Sequence, residues 1–175
     1  TYEIKLAFYR DCTGIPEPIT VSLNIECTSN PSFNFIATLN KVANTCNFIT
    51  QTCPYMVPNC LPSSNPNPNL FHGTQECVYT AIVNLPPCNS WNLSFSGCCR
   101  NPITTVPNNS NNNWYIDATL NNQTITCNSS PQFTNKPIAI LCLGQTFCFN
   151  HGAVDPDGDS LSYSFYSPQT AKNVG

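Results

Sequence analysis

Three aspartates near the end of the sequence have the type and spacing of metal ligands. Asp155, Asp157 and Asp159 alternate with Pro156 and Gly158, and they are three of the nine acidic residues in the chain. Carboxylates gathered on one short loop suit a hard cation such as Ca²⁺, which takes several oxygen ligands. Like charges this close repel one another, which makes a bare turn less favourable. We therefore predict that Asp155, Asp157 and Asp159 bind a structural Ca²⁺ ion, with further ligands supplied from elsewhere.

The loop has two other interpretations, an EF-hand and a tight turn without metal. An EF-hand requires Gly at loop position six and Glu at position twelve. Counted from Asp155, those positions hold Ser160 and Tyr166, so the loop is not an EF-hand. A tight turn with exposed carboxylates stays open, because Asp, Gly and Pro favour turns without any metal.

The segments on either side of the loop have the pattern of β-strands. Residues 161–165 alternate apolar residues with serines, which is typical of a strand with one buried face. Residues 146–154 place Phe147, Phe149 and His151 on one face of an extended segment. The sequence therefore predicts a strand, an acidic loop and a second strand.

The cysteines indicate the compartment. The chain has twelve of them in 175 residues and no C-x-x-C pair, which disfavours zinc ribbons and thioredoxin-type sites. Many cysteines in a chain with few charges favour disulfides in an extracellular, oxidising setting. The disulfide candidates are all twelve: Cys12, Cys27, Cys46, Cys53, Cys60, Cys77, Cys88, Cys98, Cys99, Cys127, Cys142 and Cys148.

Two details of the cysteine pattern carry further predictions. Adjacent side chains on an extended backbone point to opposite faces, so we expect Cys98 and Cys99 to bond to different partners. Residues 46–77 include a Pro- and Asn-rich stretch with no apolar period. A loop this long needs anchoring, and we expect disulfides at its ends to provide it.

The overall composition favours an all-β protein that binds neither nucleic acid nor an anionic membrane. Charged residues are only 9 % of the chain, the net charge is −3, and there is no basic run. Hydrophobic residues reach 41 %, enough for a packed core, and sixteen prolines disfavour helices. There is no apolar run of about 18 residues, so we predict no membrane insertion.

The order of the strand patterns predicts two domains. Residues 1–131 would form a disulfide-stapled immunoglobulin-like β-sandwich, and residues 132–175 the start of a second immunoglobulin- or cadherin-like domain. The boundary follows the polar segment 128–131. Because the second domain shows only its first strands, we expect the chain to be part of a longer protein. The candidate strands of the first domain begin near Tyr2, Ile19, Phe33, Cys77, Trp91 and Trp114.

No residue pattern indicates catalysis, and we predict that the chain is not an enzyme. The histidines are His72 and His151, and no nucleophile elbow, phosphate-binding loop or metalloprotease helix is present. Arg10 and Asp11 are better explained as a surface ion pair than as catalytic residues. Four Asn-x-Ser/Thr sequons, which matter only where the source glycosylates them, begin at Asn92, Asn108, Asn122 and Asn128.

Several blocks together resemble a known family. The segments YRDC (9–12), SGCCRN (96–101) and FNHGAVDPDGDSLSYS (149–164) look like the N-terminal part of large Bacteroidota cell-surface proteins. These are the gliding-motility-associated or type IX secretion C-terminal-domain proteins. The acidic block is also similar to cadherin-like and PKD-like immunoglobulin folds.

The resemblance implies a secreted, multi-domain adhesin or surface fibre built from β-sandwich modules at the cell surface. By analogy with cadherin-like repeats, it implies that the three aspartates bind Ca²⁺ with help from an adjoining module. The expected partners are neighbouring domains or further copies of the protein, and surface glycans. One alternative is a self-polymerising filament or sheath subunit. Another is a carbohydrate-binding module with Trp91, or Trp114 and Tyr115, as its platform, although alternation places Trp91 in the core.

Overall fold

The structure is a computed structural model that describes residues 1–12, 14–49, 73–99, 113–125, 127–137, 141–144 and 146–172. Apart from one 3-10 turn at Pro31–Phe33, the regular elements in these ranges are nine β-strands. They are β1 (Tyr2–Asp11), β2 (Thr20–Cys27), β3 (Phe35–Lys41), β4 (Asn47–Phe48), β5 (Thr74–Val83), β6 (Trp91–Gly97), β7 (Trp114–Leu120), β8 (Gln132–Phe133) and β9 (Ala153–Val154).

The first seven strands form one antiparallel sheet. Its order is β1-β5-β3-β2-β6-β7, and β4 pairs with the beginning of β5. Strand β5 pairs with β1 over ten residue pairs, from Tyr2↔Val83 to Asp11↔Thr74. On its other side β5 meets β3 at only two pairs, Asn40↔Thr80 and Lys41↔Tyr79. Strand β5 therefore divides its second edge between β3 and the short β4.

The sheet curls so that its two ends face each other across one core. The ring of Phe8 on β1 lies 6.4 Å from the ring of Phe95 on β6, although three strands separate these strands in the sheet order. The Phe8 ring also contacts the ring of buried Tyr79 edge-on, at 6.0 Å. Burial follows the alternation of the strands, as on β2, where every second residue is buried. The largest fully buried side chains are Trp91, Tyr79, Ile25, Leu39, Cys27, Cys77 and Cys88.

The predicted fold class is confirmed, since the protein is all-β, antiparallel, sandwich-like and disulfide-bonded. The immunoglobulin type of sandwich stays a prediction. The third strand begins at Phe35 rather than Phe33 because a 3-10 turn precedes it. Asn30 caps this turn by accepting a hydrogen bond from the Ser32 backbone N–H, and Pro31 occupies its first position. A single Asn-Pro pair thus delays the strand by two residues.

The second half of the predicted arrangement differs more. Strands β8 and β9 pair as a separate two-stranded ribbon, Gln132↔Val154 and Phe133↔Ala153. Of the strand expected over residues 146–154, only Ala153–Val154 forms, and residues 161–165 form none. A strand needs a neighbour for its backbone groups, and within the described residues none lies beside these two segments. The proposed boundary near residue 131 stays a prediction.

Candidate functional site

The acidic loop is a turn that one carboxylate closes. The Oδ1 atom of Asp155 accepts hydrogen bonds from the backbone N–H groups of Asp157 (2.9 Å) and Asp159 (3.2 Å). Gly158 takes a positive φ of 83°, which a side chain would disfavour, and its N–H donates to the Asp155 carbonyl. The turn interpretation therefore explains why Asp155, Gly158 and Asp159 are spaced as they are.

The other two carboxylates point elsewhere. The Oδ2 atom of Asp157 accepts a hydrogen bond from the Ser129 backbone N–H at 2.5 Å, which ties the loop to the polar segment 128–131. The Asp159 carboxylate has no hydrogen bond or ion pair to any described residue. The three carboxylates do not all lie within 4.8 Å of one another. Calcium binding at Asp155, Asp157 and Asp159 stays a prediction that needs ligands from outside the loop.

In the described part of the chain, one cluster brings three potential metal ligands together, namely Glu17, Cys46 and Cys77. Cys46 and Cys77 are bonded to each other, however, and a disulfide sulfur is not a thiolate ligand. The Glu17 carboxylate instead pairs with Arg10 Nε at 3.3 Å and with Lys41 Nζ at 3.2 Å. This cluster is a covalent staple beside an ion-pair network, and it offers no metal site.

Two disulfides lock the sheet. Cys27 at the end of β2 bonds to Cys88, three residues before β6, and both are buried. Because β2 and β6 are neighbours in the sheet, this bond joins the ends of two paired strands. The second bond, Cys46–Cys77, joins the ends of the long segment that we expected to be anchored, and it confirms that expectation. Residues 50–72 within that segment lie outside the described residues.

The prediction for Cys98 and Cys99 is wrong, because they bond to each other. The alternation argument applies to an extended strand, and β6 ends at Gly97, before the pair. Cys99 adopts a positive φ of 111°, so the backbone is no longer extended there. Gly97 itself lies under the Trp114 indole, where an added Cβ would come within 2.8 Å of the ring. The SGCC block is therefore a strand end covered by an aromatic ring and closed by a vicinal disulfide.

The remaining cysteines divide into three groups. Cys12 and Cys142 are disulfide-bonded, as predicted. Cys127 and Cys148 are exposed free thiols, so the prediction that they form disulfides differs from the structure. Both lie on segments outside the large sheet, and a disulfide forms only where packing brings two Cα atoms within about 7 Å. The predictions for Cys53 and Cys60 fall outside the described residues.

Sequence reasoning missed the importance of Asn122, the buried residue that follows β7 by two positions. Its Oδ1 accepts hydrogen bonds from the Cys88 backbone N–H (2.8 Å) and from the Trp91 indole N–H (3.2 Å). Its Nδ2 donates to the Leu85 carbonyl at 3.2 Å. One amide thus holds the disulfide segment and the core tryptophan together. The sequence singled out Asn122 only as the first residue of a sequon, which does not indicate a buried structural role.

Asn92, which begins another sequon, and the predicted platform residues have structural partners. Asn92 is buried, donates to Asp117 Oδ2 at 2.7 Å and accepts from the Tyr115 hydroxyl at 3.3 Å. Asn128 is exposed, and Asn108 falls outside the described residues. Trp91 is fully buried, which confirms the prediction from alternation. Trp114 packs on Phe95 with ring centroids 4.9 Å apart, and Trp114 and Tyr115 are half-buried.

A buried carboxylate links the sheet to the C-terminal segments. Glu76 on β5 accepts a hydrogen bond from the Tyr9 hydroxyl at 2.9 Å and pairs with Lys136 Nζ at 2.5 Å. Burial, followed by the bond to Glu76, raises the pKa of Tyr9 to about 12. A second link joins Lys172 to Glu26 on β2, and this hydrogen bond raises the pKa of the Lys172 ammonium.

No arrangement typical of an active site is present among the described residues. His151 lies edge-on to Phe149, with ring centroids 4.7 Å apart, and has no hydrogen bond or ion pair to any described residue. His72 falls outside the described ranges. Arg10 pairs with Glu17 instead of the expected Asp11, whose backbone carbonyl accepts from Arg10 Nη1 at 2.8 Å.

No family model, curated protein or solved structure matches the chain. No helix in the described ranges is long and apolar enough to cross a membrane. The several disulfides indicate an oxidising environment.

Proposed function

We propose that this chain is a non-catalytic, extracellular structural or adhesive module of a large bacterial surface protein. The observation that carries the proposal is the buried Cys27–Cys88 disulfide, which covalently joins two neighbouring strands of the sheet. A bond of this kind is kept where no reducing cytosol acts on it. It also limits how far the sheet can open when the chain is pulled.

The rest of the structure supports a mechanical role over a catalytic one. Three of the four buried polar residues in the described ranges, Asn92, Asn122 and Glu76, bond through their side chains to groups of the protein itself. The Glu17 carboxylate neutralises Arg10 and Lys41 beside the Cys46–Cys77 bond. Buried polar groups satisfied in this way rigidify a core and leave no activated group for chemistry.

The test is whether the module lies outside the cell and depends on its disulfides there. Antibodies raised against the oxidised chain should label intact, unpermeabilised cells of the species that encodes it. Protein recovered from those cells under thiol-blocking conditions should contain the Cys27–Cys88 bond by mass mapping. Labelling only after permeabilisation, together with reduced Cys27 and Cys88, would contradict the proposal.

Calcium would serve such a module by stiffening the acidic loop. Asp157 and Asp159 have oxygen atoms that the turn does not use, and an ion would relieve the repulsion between them. We expect hydrogen exchange of residues 153–160 to slow when Ca²⁺ replaces a chelator. Asp159→Asn should remove this slowing. Hydrogen exchange at the same rate with and without Ca²⁺ would refute the site.

A self-assembling filament subunit is the second candidate, and the segment 161–168 favours it. This segment has no backbone hydrogen bond to any described residue, and the side chains of Tyr163 and Phe165 are 66 % and 108 % exposed. Strand β1 meanwhile pairs on one side only within the described sheet. An unpaired segment and an unpaired edge can join copies by strand addition. Concentration-dependent fibres seen by electron microscopy, and lost in Phe165→Asp, would favour this candidate.

A further inference from the structure

A cleft lies where the C-terminal segments pack against the sheet. Its walls come from β4 and the start of β5 on one side and from residues 135–136 and 147–150 on the other. Its volume is about 660 Å³. Ligand pockets commonly have volumes of about 300–1,000 Å³, so the cleft has room for a small ligand.

Three phenylalanines supply flat apolar surface to this cleft. Phe48 on β4 lines the cleft and is 38 % exposed. Opposite it, the rings of Phe147 and Phe149 are half-buried and nearly parallel, with centroids 6.1 Å apart and planes 18° apart. The two rings therefore lie on one face, as the alternation in the sequence predicted, although no strand forms there.

Three asparagine amides supply oriented polar groups. Asn135 Nδ2 donates to the Asn150 carbonyl at 2.6 Å, and Asn150 Oδ1 accepts from the Gly152 N–H at 2.9 Å. Asn47 Nδ2 donates to the Thr45 carbonyl at 3.2 Å. Each bond fixes one end of an amide and leaves the other end, Oδ1 of Asn135 and Asn47 and Nδ2 of Asn150, without a partner among the described residues. The cleft thus presents both acceptors and a donor.

The charges of the cleft cancel. Glu76 and Lys136 are the charged residues among its lining, and they pair with each other through both carboxylate oxygens, at 2.7 and 2.5 Å. A strongly charged ligand would have to break this pair or approach it unpaired, and either would cost free energy. The cleft therefore favours a neutral ligand.

We infer that this cleft binds a neutral saccharide. A sugar ring has an apolar C–H face that packs on aromatic rings such as Phe48 and Phe149, and hydroxyl groups that both donate to and accept from amides. The site goes beyond the proposed function, which assigns the module no ligand. It also differs from the predicted Trp and Tyr platform, whose residues are engaged inside the sheet.

Saturation-transfer NMR on the oxidised full chain tests this inference. The probes are cellotetraose, xylotetraose, mannotetraose and chitotetraose at millimolar concentration. We expect at least one of them to receive saturation, strongest at C–H protons of one ring face, since those protons would lie on the phenylalanines. No transfer to any of these sugars would overturn the inference.

Matched variants locate the binding. Phe149→Ala should weaken binding about tenfold or more, which corresponds to a loss of roughly 1.4 kcal/mol, whereas Phe165→Ala, outside the cleft, should not change it. Asn150→Asp keeps the acceptor for Gly152 and removes the free donor, so it should also weaken binding, whereas Asn128→Asp should not. Equal binding by Phe149→Ala and the native chain would overturn the site.

Two further measurements keep the outcomes separate. The melting midpoint of each variant reports whether it folds, and Phe149→Leu keeps apolar volume while removing the ring face if Phe149→Ala does not fold. Loss of saccharide binding with intact disulfides and surface exposure would reject this site and leave the proposed module standing. Reduced Cys27 and Cys88 in protein from cells would reject the module whatever the cleft binds.

Discussion

Strand β6 and residues 161–166 have almost the same alternation of residue types and different surroundings. In β6, Trp91, Leu93 and Phe95 alternate with small polar residues, and Trp91 is fully buried. In residues 161–166 Leu161, Tyr163 and Phe165 alternate with serines, and Phe165 is completely exposed. Strand β6 lies between β2 and β7, which satisfy its backbone, whereas the later segment has no neighbouring strand among the described residues.

The comparison teaches that alternation selects which side chains share a face and leaves the partner undetermined. An isolated ribbon such as β8 with β9 is marginal on its own, because it buries too little apolar surface. The cysteines differ between the two regions as well. Those of the sheet are paired, whereas outside it Cys142 is bonded and Cys127 and Cys148 are exposed free thiols.

The largest expected effect comes from opening the Cys27–Cys88 bond. The bond spans 61 residues, and the chain-entropy relation gives about 4 kcal/mol of stabilisation for a loop of that length. We expect Cys27→Ser with Cys88→Ser to lower the unfolding free energy by about that amount, measured by urea denaturation. The matched control is Cys98→Ser with Cys99→Ser, which closes almost no loop and should have a small effect. Equal losses for both pairs would contradict the loop argument.

The next largest expected effect is the difference between removing a phenylalanine ring from β6 and removing one from residues 161–166. Phe95→Ala removes ring contacts with Trp114 and Phe8 and should cost about 3 kcal/mol. Phe165→Ala removes no buried contact and should change stability by less than about 0.5 kcal/mol. Thermal and urea unfolding of both variants measure the difference. A large loss in Phe165→Ala would mean that residues 161–166 are packed in solution and that the contrast is wrong.

Asn122→Ala should cost about 2 kcal/mol. The change leaves the buried Cys88 N–H and the Leu85 carbonyl without their hydrogen bonds to the Asn122 amide. Asn128→Ala changes another sequon asparagine that is exposed, and it should be nearly neutral in the same urea titration. If both variants lose the same stability, the Asn122 amide does not have the role assigned to it.

The smallest expected effect concerns Glu17. A hydrogen bond from the backbone, followed by one from Lys41, lowers the pKa of this carboxyl below its ordinary value of 4.5. A carboxyl whose pKa is lower in the folded state contributes stability above pH 4.5, and that contribution is lost as the pH falls through the folded pKa. Glu17→Gln should therefore flatten the loss of unfolding free energy between pH 5 and roughly pH 3. Glu3→Gln, on an exposed position of β1, is the control and should keep the native slope.

The position of the acidic loop was predicted correctly, but the directions of its carboxylates were not predicted. Asp155, Gly158 and their spacing identified a turn, and the turn forms. The direction of the Asp157 carboxylate depends on Ser129, 28 residues away, so no local pattern could have predicted it. The cleft was not predicted either. Phe48 and Phe149 are far apart in the sequence, and they line one cleft only because β4 and residues 147–150 lie close together in the fold.

By itself, the sequence determined six of the seven strands of the large sheet, the buried face of β1 and β2 and the burial of Trp91, because these depend on a period of two and on local turns. The short β4 was not predicted. Tertiary structure alone decided that Cys98 bonds to Cys99, that Asn122 holds Trp91 and Cys88 in place, and that Cys127 and Cys148 stay free. Pairing depends on which atoms, distant along the chain, are brought within bonding distance by packing. The order of residue types does not specify that distance.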